Sequence, residues 1–146
     1  MIEVEVDPET GAVQIDRYTG VDDLGKVYNS ASAIGQIHGG FAQAAGEVLM
    51  EKLVYDNEGQ LISGSFMDYR LPRANDLPSF DTVLTETESP NTILGAKGVG
   101  ELTAIGTPGP IHNAVIDALS EFNITHLDKP LTPIKIWNAI RAAKTN

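Results

Sequence analysis

The stretch from Ser30 to about Glu51 constrains the fold of this chain most. Its apolar residues Ile34, Ile37, Phe41, Ala45, Val48 and Leu49 recur at steps of three or four, the period of one helix face. Four glycines, Gly35, Gly39, Gly40 and Gly46, interrupt the same stretch. Each costs a helix roughly 1 kcal/mol relative to alanine. A helix that carries four is either packed very closely or runs beside a ligand. The other reading is a helix that begins later and follows a loop.

Shorter elements surround it. Ile2–Val6 alternates apolar and acidic residues, and Ala12–Tyr18 is β-like; Asp7-Pro8-Glu9-Thr10-Gly11 between them predicts a hairpin. Val21–Tyr28 follows, with Asp22, Asp23 and Gly25 as loop residues. Leu53–Tyr55 and Leu61–Ser65 flank Asp56-Asn57-Glu58-Gly59, a second hairpin signature. Leu71 to Pro78 reads as loop, Asp81–Thr87 as a strand, and Ser89 to Gly100 as a long loop. Ile111–Leu119 and Ile134–Ala143 read as helices, the second started by Thr132-Pro133. Strands and helices mix without strict βαβ alternation, so the expected class is α+β.

With 146 residues and neither repeats nor an internal linker, residues 1–146 are expected to form a single domain. A chain of this size buries roughly 68–70% of its unfolded surface, enough for a core. The hydrophobic and charged fractions, 42% and 21%, are those of an ordinary globular protein rather than a disordered one. Ten basic against 20 acidic residues give a net charge of −10, which argues against nucleic acid as a partner. With no cysteine, the chain cannot itself hold a disulfide or an iron–sulfur cluster. His38, His112 and His126 lack metal-ligand spacing, so no metal ligand is expected here. There is no apolar run of membrane length and no signal-peptide pattern. A strand starting at residue 2 suggests a chain that begins partway through a longer protein.

Two segments could carry chemistry. Gly95-Ala96-Lys97-Gly98-Val99-Gly100-Glu101 has glycines that permit close backbone approach, successive N–H groups that can form an anion nest, a lysine charge and a terminal carboxylate. On the residues alone, a Gly-rich connection ending in a solvated glutamate is the more ordinary reading. In Gly35-Gln36-Ile37-His38-Gly39-Gly40 the Gln36 amide offers donors and an acceptor suited to an oxo group or a pterin edge. A tightly packed Gly/Ala helix accounts for the same residues.

Taken together, four pieces in order resemble the large subunits of molybdenum hydroxylases: xanthine dehydrogenases, aldehyde oxidases and aerobic carbon monoxide dehydrogenases. The pieces are Gly35 to Gly40; Ser65-Phe66-Met67-Asp68-Tyr69 with Leu71-Pro72; Gly95 to Glu101; and Leu131-Thr132-Pro133 before Ile136-Trp137. The resemblance spans essentially the whole chain and points to the C-terminal, second molybdopterin-binding domain, a mixed sheet with packed helices. It implies oxidative hydroxylation of an aldehyde or N-heterocycle with water as oxygen source. Glu101 would be the general base, and Gln36 and the Lys97, Gly98, Val99 and Gly100 backbone would contact molybdenum-molybdopterin, in plain or cytosine dinucleotide form. A base working near neutral pH needs an apolar surrounding, which Val99 and Leu102 are expected to help provide. The implied partners are the remaining large-subunit domains, an iron–sulfur subunit, an FAD subunit and a small-molecule substrate, with no nucleic acid or membrane, in the cytoplasm. The alternative is a non-catalytic cofactor-binding or subunit-interaction module, inactive alone. Two places depart from the pattern: Asn29-Ser30 lacks the usual proline, and Gln43-Ala44-Ala45-Gly46-Glu47 replaces a more Gly-rich run.

Overall fold

A computed structural model describes residues 1–145. Two strands open the chain, β1 (Ile2–Val6) and β2 (Val13–Asp23), paired antiparallel as the hairpin reading expects. The turn closes through Asp7, whose carboxylate accepts from Glu9 N–H and the Thr10 hydroxyl. β2 runs five residues beyond the expected Tyr18, from Thr19 through Asp23. Asp22 and Asp23 had pointed to loop by composition. Pairing with a third strand overrides that local preference.

Helix α1 spans Ser30–Leu49, and the Asn29 side chain caps it by accepting from Ser32 N–H at 2.9 Å. Residues 50–78 form an irregular arm. Its expected hairpin keeps the turn, with Asp56 accepting from Glu58 and Gln60, but reduces to one bridge between Tyr55 and Leu61. β3 (Ser79–Thr85) lies parallel to β2, so the sheet order is β1-β2-β3 and the sheet is mixed. A short helix, α2 (Leu102–Gly106), was not expected from the sequence. α3 (Pro108–Ala118) and α4 (Pro133–Thr145) fall near their expected positions.

The core lies between the sheet and the helices. Ile37, Phe41, Ala45 and Val48 on one face of α1 meet Ile15 and Tyr18 of β2, Ile111 and Val115 of α3, and Ile136 and Ile140 of α4. Tyr18, Phe41 and Phe80 stack edge-on at 4.9–5.8 Å. This packing leaves the opposite face of α1, which carries Gly35 and Gly39, turned outward. Among the described residues no helix is long and apolar enough to cross a membrane.

Candidate functional site

The four glycines of α1 separate into two kinds. A methyl group at Gly40 would sit 2.9 Å from Ala104 N and 3.1 Å from the Thr103 Cβ, so α2 can approach α1 only over a glycine. Gly46 likewise lies against Glu51 and Pro72. At Gly35 and Gly39 a methyl group would meet nothing within 4 Å. Packing inside the chain therefore accounts for Gly40 and Gly46 and leaves the helical cost of Gly35 and Gly39 unexplained.

Gln36 lies on that same exposed face. Its side-chain oxygen is 4.0 Å from where Gly100 would carry a Cβ, so α1 and the Gly-rich loop meet there. The loop is held at its start. Lys97 N–H donates to Leu24 O at 2.8 Å, Lys26 N–H donates to Gly95 O at 3.0 Å, and Gly25 pairs with Ala96. This approach needs a glycine at position 25, where φ is +62° and a side chain would run into Gly95 O.

Lys97 does not supply the free positive charge that its place in the loop suggested. Its Nζ donates to the Asp23 carboxylate at 2.8 Å. What the loop presents is backbone: Gly98, Val99, Gly100 and Glu101 N–H have no acceptor among the described residues. Gly98 also has open space where a Cβ would be.

Glu101 occupies the residue before α2. Its carbonyl accepts from Ile105 N–H at 3.0 Å, while its carboxylate makes no capping bond. The side chain is exposed. Val99 is half-buried and packs against the core, but Leu102 is 38% exposed, so this chain alone does not enclose the carboxylate in apolar surface. Gln36 and Gly100 thus meet at an exposed surface, with Gly35 next to Gln36 along α1 and Gly98, Val99 and Glu101 flanking Gly100 in the loop. Among the described residues no group of three or more His, Asp or Glu side chains could hold a metal ion.

Below this surface, Tyr18, Asp22, Thr103 and Thr107 line a cleft of about 230 Å³ between β2 and α2. Burial pushes the Tyr18 hydroxyl up from its ordinary value, and the Asp22 charge adds to it; the Thr103 and Thr107 hydroxyls act the other way. Burial also raises the Asp22 carboxyl. Asp22 Oδ2, Thr82 Oγ1 and Thr103 Oγ1 are buried without hydrogen-bond partners among the described residues. Sequence reasoning missed this cluster and the Asp23–Lys97 pair alike. Its one available signal was the run Val21-Asp22-Asp23, two acids at the end of an apolar strand.

Residues 1–78 match the family model for a molybdopterin cofactor-binding domain. Over 97% of its length the chain is 42% identical to the nicotine 6-hydroxylase large subunit of Paenarthrobacter nicotinovorans. It is 35% identical over 94% of its length to the carbon monoxide dehydrogenase large chain of Hydrogenophaga pseudoflava. The quinoline 2-oxidoreductase of Pseudomonas putida 86 superposes with a TM-score of 0.90 at 38% identity over 94% of this chain, and 18% of that one. The chain spans 17% of the length of the first two relatives. Gly35 and Gly39 of α1 fall inside the matched family segment, and the Glu101 loop falls within the 141 residues aligned to the nicotine 6-hydroxylase large subunit. This chain belongs to the molybdopterin cofactor-binding domain family, in the form found in the large subunits of molybdenum hydroxylases.

Proposed function

We propose that this chain forms one wall of the cofactor cleft of a molybdenum hydroxylase and supplies its general base, Glu101. The observation that carries this reading is the open face at Gly35, Gly39 and Gly98, three glycines that packing within the chain does not require. α1 keeps Gly35 and Gly39 at a cost of roughly 1 kcal/mol each, as a helix does when something outside it must come close. The residues present fit a pterin. Gln36 offers two donors and an acceptor to its edge. The N–H groups of Gly98 to Glu101 fit an anionic oxygen, and Lys97 contributes its backbone while its side chain stays with Asp23.

When bound, molybdenum-molybdopterin, in plain or cytosine dinucleotide form, supplies two-electron redox chemistry. The chain's own part is to hold the cofactor edge and to accept a proton at the Glu101 carboxylate. That carboxylate is free to do so because no cap or ion pair engages it among the described residues. The oxygen comes from water. Among substrates, the N-heterocycle reading gains support from two relatives named for nicotine and quinoline, while the aldehyde reading rests on aldehyde oxidoreductases at 29–31% identity. The remaining large-subunit domains complete the cleft and enclose Glu101, and iron–sulfur and FAD subunits carry the electrons away. One relative is named as subunit gamma of a dehydrogenase complex, which supports such an assembly.

The test is Glu101→Gln in the chain assembled with those domains, with rates normalised to bound molybdenum. General-base catalysis is typically worth about 10²–10⁴-fold. Turnover should fall by that factor with metal content unchanged. A variant working at the parent rate would overturn the base assignment and favour a non-catalytic cofactor-binding module.

A further inference from the structure

β2 ends on two acids that face opposite ways, as consecutive strand residues do. Asp22 lines the inner cleft with Tyr18 and Thr103. Asp23 faces the other side, where its carboxylate gathers three donors. Oδ1 accepts from Gly25 N–H at 3.0 Å and from Thr87 N–H at 2.9 Å, and Oδ2 accepts from Lys97 Nζ at 2.8 Å. One side chain thus joins the end of β2, the segment leaving β3 and the start of the loop that carries Glu101.

An isolated surface ion pair is worth little, because holding two long side chains in one geometry opposes the attraction. Here that geometry is already set on both sides. Two backbone amides fix the Asp23 carboxylate, and the bond from Lys97 N–H to Leu24 O fixes the root of the lysine. The residues that follow, Gly98-Val99-Gly100, have little stiffness of their own. Their direction is set by the anchor at Lys97 and by α2 at the far end.

We propose that Asp23 is a positioning residue: by holding the Lys97 side chain it adds a second anchor to the backbone bonds at the start of the Glu101 loop and so aims the Gly98 to Glu101 amides. This rests on reading that loop as the cofactor wall, but it concerns loop order and is measurable without cofactor. Backbone amide relaxation reads it directly on the 146-residue chain, at concentrations where sedimentation shows it monomeric. In the parent, Gly98 to Leu102 should show order parameters of about 0.85, and in Lys97→Met they should fall below about 0.6 while α1 stays rigid. Lys97→Arg keeps the pair and should keep the order. Asp23→Asn retains an oxygen for the two amides but loses the charge, so it should match Lys97→Met. The double variant should be no more mobile than either single, since both remove one interaction. Parent-like loop order in Lys97→Met overturns the proposal, as does loosening by Lys97→Arg. Should Asp23→Asn also loosen α1, the two lysine variants decide alone. A wrong base assignment would show in Glu101→Gln turnover and leave these relaxation results untouched.

Discussion

Gly40 on α1 and Thr103 on α2 pack so closely that a methyl group on the glycine would sit 3.1 Å from the threonine Cβ. The residue before it, Gly39, faces open space. Alanine at these neighbouring positions should have opposite effects. Gly40→Ala forces α2 outward, and overpacking of this kind typically costs about 1–3 kcal/mol. Gly39→Ala should stabilise the isolated chain by about 1 kcal/mol through helix propensity, roughly 2–4 °C in melting temperature for a chain this size. In the assembled enzyme the same methyl group should lower molybdenum retention. Calorimetry and metal analysis read the two effects. A Gly39→Ala enzyme with full metal content would remove the main support for a ligand on this face.

Gln36→Ala separates binding from stability in another way. The side chain is exposed, so its loss should change stability by less than about 0.5 kcal/mol. Cofactor occupancy in the assembled enzyme should nevertheless fall, and turnover with it, whereas Glu101→Gln should lower turnover at constant occupancy. Equal metal content in parent and Gln36→Ala would exclude the amide from cofactor binding.

Asp22 and Asp23 should respond to pH with opposite signs. The Lys97 ammonium, with the Thr87 and Gly25 amides, holds the Asp23 carboxyl well below its ordinary value of 3.8. Its contribution is present above about pH 4 and is lost as pH falls further toward the folded value. Burial raises Asp22, so its charged form opposes folding above its raised value, and that penalty disappears on acidification. Asp22→Asn should therefore raise the melting temperature at pH 7 and converge on the parent below about pH 4. Asp23→Asn should lower it at pH 7, with a gap that begins to narrow only as pH falls below about 4. Melting curves between pH 3 and 8 check both. A parallel offset at every pH would show that neither effect is electrostatic.

The arm after α1 leaves Phe66 84% and Met67 93% exposed, and Leu53, which lines one cleft with Phe66, is exposed as well, as are Tyr55 and Ile62. An apolar patch of this kind marks a contact surface. The isolated chain should self-associate and bind a dye that reports apolar surface. Phe66→Ser with Met67→Ser should reduce both by a large factor while leaving the melting temperature within about 0.5 kcal/mol equivalent. Sedimentation over a concentration series measures the association. A parent chain that stays monomeric throughout would count against an interface here.

Local rules account for what the sequence made legible. The Asp7 to Gly11 turn, the Ser30 start of α1 and the Thr132-Pro133 start of α4 are each written in a few neighbouring residues, and each is where it was expected. The resemblance named the correct family before any geometry was known. What was not legible depends on partners far along the chain. Asp22 and Asp23 are strand residues only because β3 pairs with them. α2 is too short for its period to show, and it exists where Thr103 can rest on Gly40. Nor could spacing tell that Lys97 spends its charge on Asp23 or that Gln36 meets Gly100.

The parallel pairing of β2 with β3 also bears on how the protein is made. β2 is finished at Asp23, but its second neighbour does not begin until Ser79. A nascent chain therefore carries β2 with its second edge unpaired through the whole synthesis of α1 and the arm. Open edges recruit other strands, and pairings this distant close slowly. Because α1 can pack on the hairpin beforehand, it covers one face of that sheet while the edge waits. Rapid dilution from denaturant presents many such unfinished edges to one another, so refolding yield should depend more steeply on protein concentration than the melting temperature does.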